Sequence, residues 1–478
     1  MTETPFADAV AACLRDVPTP MTTPGHKRNP ALVGDGSLLL SDIPHHGGAD
    51  TLRNDHQVLE RAEALAAAAW GADMCRFSHN GSTHPNQALC LATTRPGEPV
   101  LVHRTCHKSV YSGLILAGAR PVWLSPDVSD ELGIPLGTPA GRVAAALDAE
   151  PGIRTAILTE PSYVGVLSDL PAIAEACHAR GVTLICDHAW AAHFGFASSV
   201  PRNALAMGAD AIALSTHKTL MSLTPGALLL ARDTGRIDLE RLGAAFDMLL
   251  TTSPSAMIYG TIDRARAWMQ AEGERLIGAA VEVSARAREG VETIEGLRVI
   301  GDDAVLGHPS VLARDPLKLV IDLAGAHADG IAVDRSLRAR GVQVEGADRR
   351  LLIPQITVGD DASRVDAFVP TLRAAVDEHR GSVGEPPPVA TSWRTNPEQA
   401  MTPREAAFAP TERVAAADAV GRVAAEFAVP YPPGIPALAP GEVIGAELWE
   451  RLRTEAAHGA RISYATDPSL GSFKVVAG

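Results

Sequence analysis

Ser215-Thr216-His217-Lys218-Thr219 directly follows an apolar run, Ala211-Ile212-Ala213-Leu214, so Lys218 stands at an expected strand end among hydroxyl and imidazole groups. Burial and such neighbours lower the pKa of a lysine, and the neutral amine can then attack an aldehyde to form a Schiff base. Taken alone, the same lysine is an ordinary loop residue; its company decides between the two. Asp187, in Cys186-Asp187-His188-Ala189-Trp190, ends another strongly apolar run. A carboxylate is costly to bury there without a cation. A protonated pyridine nitrogen is such a cation, and holding it protonated makes the ring an electron sink. The alternative is an aspartate that caps the next helix.

Asn80-Gly81-Ser82-Thr83 opens a helix-compatible stretch, His84 to Thr93. Small and hydroxyl residues there cradle a phosphate with backbone N–H groups and the helix dipole, or serve only as a cap. His107, in Cys106-His107-Lys108-Ser109, fits a residue that stacks on a heteroaromatic ring or positions substrate, and fits a solvated loop equally well.

These residues need a scaffold, and the pattern between Glu98 and Ala231 supplies one. Short apolar runs (Val100–Val102, Pro121–Leu124, Thr155–Leu158, Val182–Ile185, Ala211–Leu214, Ala227–Leu230) alternate with alanine-rich helical segments. One such segment is Leu170 to Arg180, with Pro171 near its start and Gly181 just past its end. That alternation predicts an α/β fold: a mostly parallel sheet with helices on both faces. Ligands of such sheets bind beyond the C-terminal strand ends, where His103–Ser109, Glu160–Gly165, Asp187–Trp190 and Ser215–Lys218 all fall. Earlier, Asn54-Asp55-His56-Gln57 resembles a capping box before the helical spacing of Val58, Leu59, Ala62, Leu65, Ala66 and Ala69.

After about Ser253 a long Ala/Arg/Glu-rich helix is expected, then strands near Leu317–Leu323 and Arg350–Thr357, which together suggest a smaller α+β domain. Glu385-Pro386-Pro387-Pro388 reads as a stiff linker to a last segment. The expected division is an N-terminal segment 1–22, a large domain 23–255, a small α+β domain 256–384 and a C-terminal domain 385–478.

The 478 residues are too many for one ordinary core, and 46% hydrophobic with 21% charged residues is a globular composition. A net charge of −14 argues against nucleic acid or an anionic membrane as partner. Cys13, Cys75, Cys90, Cys106, Cys177 and Cys186 form no C-x-x-C pair and no disulfide-like spacing, so no metal site is expected. Met1 to Val17 lacks a basic start and an apolar run, and no stretch is long and apolar enough to span a bilayer. The expected location is cytoplasmic.

In their order along the chain, these motifs resemble the ornithine/lysine/arginine decarboxylase family, within the fold type I enzymes that depend on pyridoxal 5'-phosphate (PLP). The resemblance rests on Thr23-Pro24-Gly25-His26-Lys27, Asn80-Gly81-Ser82, Cys106-His107-Lys108-Ser109, Pro161-Ser162-Tyr163-Val164-Gly165, Asp187-His188-Ala189, Ser215-Thr216-His217-Lys218-Thr219 and the stretch from Pro430 to Glu442. It implies a PLP transferase-like fold with smaller C-terminal α+β domains, and α-decarboxylation of arginine, lysine or ornithine. It also implies site roles: Lys218 as the Schiff-base lysine and proton donor, and Asp187 against the pyridinium nitrogen. His107 and Ala189 would lie on opposite ring faces, with Ser82, Thr83, Ser215 and His217 on the phosphate. Glu442 would hold a cationic substrate tail, and a homodimer or assembly of dimers is implied.

The chain also departs from the family. A Leu-Pro-Gly-Leu-Asp-like stretch is usual before the first long helix; here it reads Ile43-Pro44-His45-His46-Gly47-Gly48-Ala49-Asp50-Thr51. His45 and His46 are therefore candidate substrate contacts or plain surface residues. Trp190 stands where shorter bacterial relatives often carry histidine, and would reshape the pocket or simply pack. Competing readings are PLP-dependent oxidation, deamination or amino transfer, and a scaffold that has lost catalysis.

Overall fold

The computed structural model describes residues 2–16, 22–24, 26–34, 36–43, 49, 57–384, 392–431 and 434–478. His45, His46, the Asn54–His56 part of the expected capping box and the Glu385–Pro388 linker lie outside them. The apolar runs of the sequence form strands: β1 (Met74–Ser78), β2 (Pro99–His103), β3 (Arg120–Leu124), β4 (Thr155–Thr159), β5 (Val166–Ser168), β6 (Thr183–Asp187), β7 (Ala211–Leu214) and β8 (Ala227–Ala231). All but β5 belong to one seven-stranded sheet of order β1-β8-β7-β6-β4-β2-β3. It is mixed and mostly parallel: β2 pairs in parallel with β3 and β4, whereas β8 runs antiparallel to both β1 and β7. Every residue of β6, β7 and β8 is buried, as the unbroken apolar runs require for strands covered on both faces.

Two compact units divide the chain, residues 1–92 with 186–278 and residues 93–185 with 279–478. In the first, the helix Val58–Trp70 stops at Gly71, which adopts φ +74° and donates its N–H to the carbonyls of Ala67 and Ala68. Gln57, at its start, makes no side-chain capping bond. Trp70 is buried, with its indole N–H 3.2 Å from the Ala192 carbonyl and its ring edge-on to Phe196. The helix expected from His84 to Thr93 runs Thr83–Thr93, and the long helix after Ser253 runs Ala256–Glu292.

In the second unit, Asp169 caps the helix Leu170–His178 through the Ala172 N–H, and Gly181 turns the chain at φ +68°. β5 pairs antiparallel with Val311–Arg314. A four-stranded sheet follows, in the order Gly346–Ala347, Leu351–Ile353, Ile321–Asp322, Arg298–Val299. Val333, Leu337, Leu372 and Val376, from the helices Gly330–Ala339 and Ala362–His379, share a core with Leu319, Ile321 and Leu352. Full burial of each such aliphatic side chain stabilises by roughly 1.5–3 kcal/mol. A separate cluster of Leu448, Leu452, Phe473 and Val475 lies under the helix Ala446–Ala457 and the strand Ser472–Val476. Among the described residues, no helix is long and apolar enough to cross a membrane. Among the same residues, no group of three or more His, Cys, Asp or Glu is placed to hold a metal ion.

Candidate active site

The first unit gathers the strand-end residues. After β1, Ser78 ties a tight turn: its Oγ donates to the Gly81 carbonyl at 3.1 Å and accepts from the Asn80 N–H at 3.2 Å. Gly81 sits at φ +62° with its N–H on the Pro225 carbonyl, a backbone state in which a side chain would be strained. The turn delivers the buried Ser82 and half-buried Thr83 to the start of the eleven-residue helix Thr83–Thr93. Such a start offers backbone N–H groups and the positive end of the helix dipole.

Asp187 ends β6 and is 3% exposed. Its Oδ2 accepts from the Asn86 amide at 2.9 Å and its Oδ1 from the Ala189 N–H at 3.3 Å. Both donors are neutral, so among the described residues the negative charge is solvated without being cancelled. Asn86, three residues into the helix and 1% exposed, is a partner of Asp187 that motif reading missed.

Beyond β7 the chain closes one helical turn, Thr216–Thr219, that carries Lys218. The Lys218 ammonium lies 4.2 Å from the centre of the Trp190 ring, a cation–π contact that holds the amine at the strand end. His217 Nδ1 lies 2.8 Å from the Gly226 carbonyl and must donate to it. Burial lowers the imidazole pKa, the Gly226 bond opposes that, and Lys218 lowers it further. Neutral His217 therefore presents Nε2 as a lone pair, and an arriving phosphate would draw a proton onto it. The Ser215 hydroxyl is fully buried with no hydrogen-bond partner among the described residues, as is that of Thr219. A buried hydroxyl left so is costly, and an anionic ligand oxygen would relieve the cost. The helix start, the unpartnered Ser215 hydroxyl and the uncancelled Asp187 charge fit the phosphate and the ring nitrogen of PLP.

The second unit holds the other two expected site residues. His107 is exposed and caps the helix Lys108–Ala117, its Nδ1 accepting from the Ser109 N–H at 3.3 Å and 2.9 Å from the Ser109 Oγ. Glu442 departs from the expected role. It is fully buried in a two-armed ion pair with Arg104, also fully buried, and accepts the Ala439 N–H at 2.8 Å. Arg104 further donates to the Ala437 carbonyl at 2.8 Å and stacks 4.9 Å over the Trp123 ring. The cation that Glu442 holds belongs to the protein.

The turn that leads from β2 to His107 is braced from within. His103 lies 3.1 Å from the Thr105 hydroxyl through Nδ1 and 2.8 Å from the Thr138 hydroxyl through Nε2. The Thr138 N–H in turn donates to Ser168 Oγ at 2.8 Å, and Ser168 donates both its N–H and its hydroxyl to Glu160. Gly137 makes this approach possible, since a Cβ there would fall 1.7 Å from the Ser310 carbonyl oxygen. Burial pushes Glu160 up to about 7, against the two Ser168 bonds, and pushes His103 down to about 4.

The two shifts act in opposite senses on stability. Between about pH 4.5 and 7 the folded Glu160 holds a proton that the unfolded chain has released, so its contribution is lost as pH rises. Between about pH 6.5 and 4 the folded His103 refuses a proton that the unfolded chain takes, so stability is lost as pH falls. From pH 6.5 to 4.5 these slopes offset each other in the native protein. Glu160→Gln removes one of them, so the variant should lose melting temperature more steeply than wild type between pH 6.5 and 4.5. Melting curves that stay parallel across that window would show the two groups are not coupled to folding in this way.

A strand-end lysine and a buried strand-end carboxylate, over a helix start fit for phosphate, place the chain among the fold type I PLP-dependent enzymes. More narrowly, it belongs to the Orn/Lys/Arg decarboxylase family: residues 4–345 match the major domain and residues 389–455 the C-terminal domain. It is 33% identical over 482 residues to an arginine decarboxylase of Halalkalibacterium halodurans, covering 99% of this chain and 98% of that one. It is 29% identical to an arginine decarboxylase of Bacillus subtilis, with the same coverage. Among solved structures, the constitutive lysine decarboxylase of Escherichia coli superposes with a TM-score of 0.82 at 22% identity, covering 99% of this chain and 82% of that one. The Francisella novicida lysine decarboxylase gives a TM-score of 0.84 at 20% identity, with 99% and 81% covered. At those identities the structures show a shared fold.

Proposed function

We propose that this PLP-dependent decarboxylase of a basic amino acid acts on arginine, releasing carbon dioxide and the corresponding amine. The observation that carries the choice is likeness over almost the whole length to the arginine decarboxylases of Halalkalibacterium halodurans and Bacillus subtilis. Bound PLP supplies the electron sink that makes loss of the α-carboxylate feasible.

The chain's own residues do the rest. Lys218 would anchor the cofactor aldehyde and, once free, would carry the proton given to the substrate's α-carbon. Asp187 would keep the ring nitrogen protonated. Ser82, Thr83, Ser215 and His217 hold the phosphate, the unpartnered Ser215 hydroxyl being the clearest support. The family resemblance supports His107 and Ala189 on the two ring faces, and Trp190 beside the amine that its ring already contacts. Loss of the substrate carboxylate as neutral carbon dioxide is favoured where apolar surroundings strip its water.

A homodimer is supported by the family resemblance. Six buried cysteines without a disulfide support a reducing, cytoplasmic setting.

The PLP-loaded protein, offered arginine, lysine and ornithine separately, should release carbon dioxide and amine in equal amounts, with the highest kcat/KM on arginine. A preference for lysine or ornithine would overturn the substrate choice. Oxygen consumption with ammonia or a keto acid would overturn decarboxylation itself.

A further inference from the structure

We propose that Asn86 is a positioning residue for the reaction: its amide orients Asp187 toward the cofactor ring and leaves the carboxylate's charge for the ring nitrogen. This rests on the reading that Asp187 pairs with that nitrogen. The contact is direct, 2.9 Å from Nδ2 to Oδ2, and both side chains are almost wholly removed from water, at 1% and 3% exposure.

The residue type matters as much as the distance. A lysine or arginine at position 86 would satisfy the same oxygen but cancel its charge, and the ring nitrogen would lose its counter-ion. An apolar residue would leave a buried carboxylate oxygen short of a donor. Asp187 would then hold a proton more tightly and compete with the ring for it. An amide avoids both outcomes, because it donates a hydrogen bond and carries no charge. The Ala189 N–H, 3.3 Å from the other oxygen, does the same from the backbone. The carboxylate is thus held from two sides by neutral groups.

Location adds a second element. Asn86 lies in the first turn of the helix Thr83–Thr93, its own N–H bonded to the Ser82 carbonyl at 3.0 Å. The helix that offers its N-terminal amides beside Ser82 and Thr83 therefore also grips the carboxylate at the end of β6. One rigid element relates the phosphate end of the cofactor to its nitrogen end, and a shift of that helix would disturb both together.

The test compares Asn86→Leu, Asn86→Asp and Asp187→Asn with wild type, all reconstituted with PLP. The readouts are the pH titration of the cofactor's visible absorbance, the cofactor dissociation constant, thermal stability, and kcat and KM on the substrate. Asn86→Leu should weaken cofactor binding and lower kcat, each by roughly 10- to 100-fold, with KM little changed. Asn86→Asp, nearly isosteric, should be worse, because a second carboxylate against Asp187 forces one of the pair to take a proton. It also carries the test should the leucine variant fail to fold. In both, the absorbance titration should move in the same direction as in Asp187→Asn. If the position 86 variants lose only thermal stability and keep the wild-type titration and cofactor affinity, while Asp187→Asn shifts both, Asn86 is structural and the inference fails. If Asp187→Asn itself leaves titration and affinity unchanged, the pairing on which the inference rests is wrong.

Discussion

Glu442→Ala is expected to destabilise the protein by about 3–5 kcal/mol, because it strands the Arg104 guanidinium in a site where both side chains are fully buried. Arg104 cannot turn out to solvent: it is also anchored on the Ala437 carbonyl and held over Trp123. The segment from Ala437 to Glu442 thus grips the residue that follows β2, three positions before His107. Replacing both partners with residues of similar size, Arg104→Met with Glu442→Met, should recover much of the loss, since a well-packed apolar pair costs far less than a lone buried charge. Urea unfolding of the two single variants and the double variant measures the coupling directly. The result also separates two roles for Glu442. A carboxylate that held the substrate's cationic tail would, as Glu442→Gln, raise KM with an unfolding midpoint near wild type. An ion-pair carboxylate moves the midpoint first.

That example shows what the sequence made legible and what it hid. Ala211–Leu214 was readable to the residue, because an unbroken apolar run bounded by polar residues has few ways to fold other than as a covered strand. The motifs carrying Lys218 and Asp187 were readable because each is local, a polar group at the end of such a run, and Ser82 because it opens a helical stretch. β1 was not, since Arg76 interrupts it; the strand tolerates that side chain by leaving it half-buried near Glu63, 3.5 Å away. β5, three residues long, gives too little pattern to find. Partnerships were the larger loss. Asn86 and Asp187 are 101 positions apart, and Arg104 and Glu442 are 338 apart. An asparagine in a helix or an arginine after a strand carries no local mark of what it will meet. The family resemblance implies a substrate tail for Glu442, and nothing near it in the sequence points to Arg104 as its partner.

Lys218→Ala should lower kcat by at least roughly a thousandfold, within the range that positioned proton transfer alone contributes, and should abolish covalent attachment of the cofactor. Two functions leave together: the amine that joins the cofactor aldehyde, and the group that returns a proton at the α-carbon. Binding should survive far better than turnover, because the phosphate cradle, the Ser215 hydroxyl and Asp187 are untouched. Borohydride reduction followed by mass spectrometry gives a clean reading. Wild type should gain the mass of the reduced cofactor on the peptide containing Lys218, and the variant should gain none. Trp190→Leu provides the graded comparison. It removes the ring that the amine contacts at 4.2 Å, so it should loosen the amine's placement and lower kcat while attachment at Lys218 persists. An alanine variant that still carried the cofactor covalently would place the anchor on another lysine and undo the assignment. A variant that lost all cofactor binding would mean that attachment, rather than the cradle and Asp187, supplies most of the affinity.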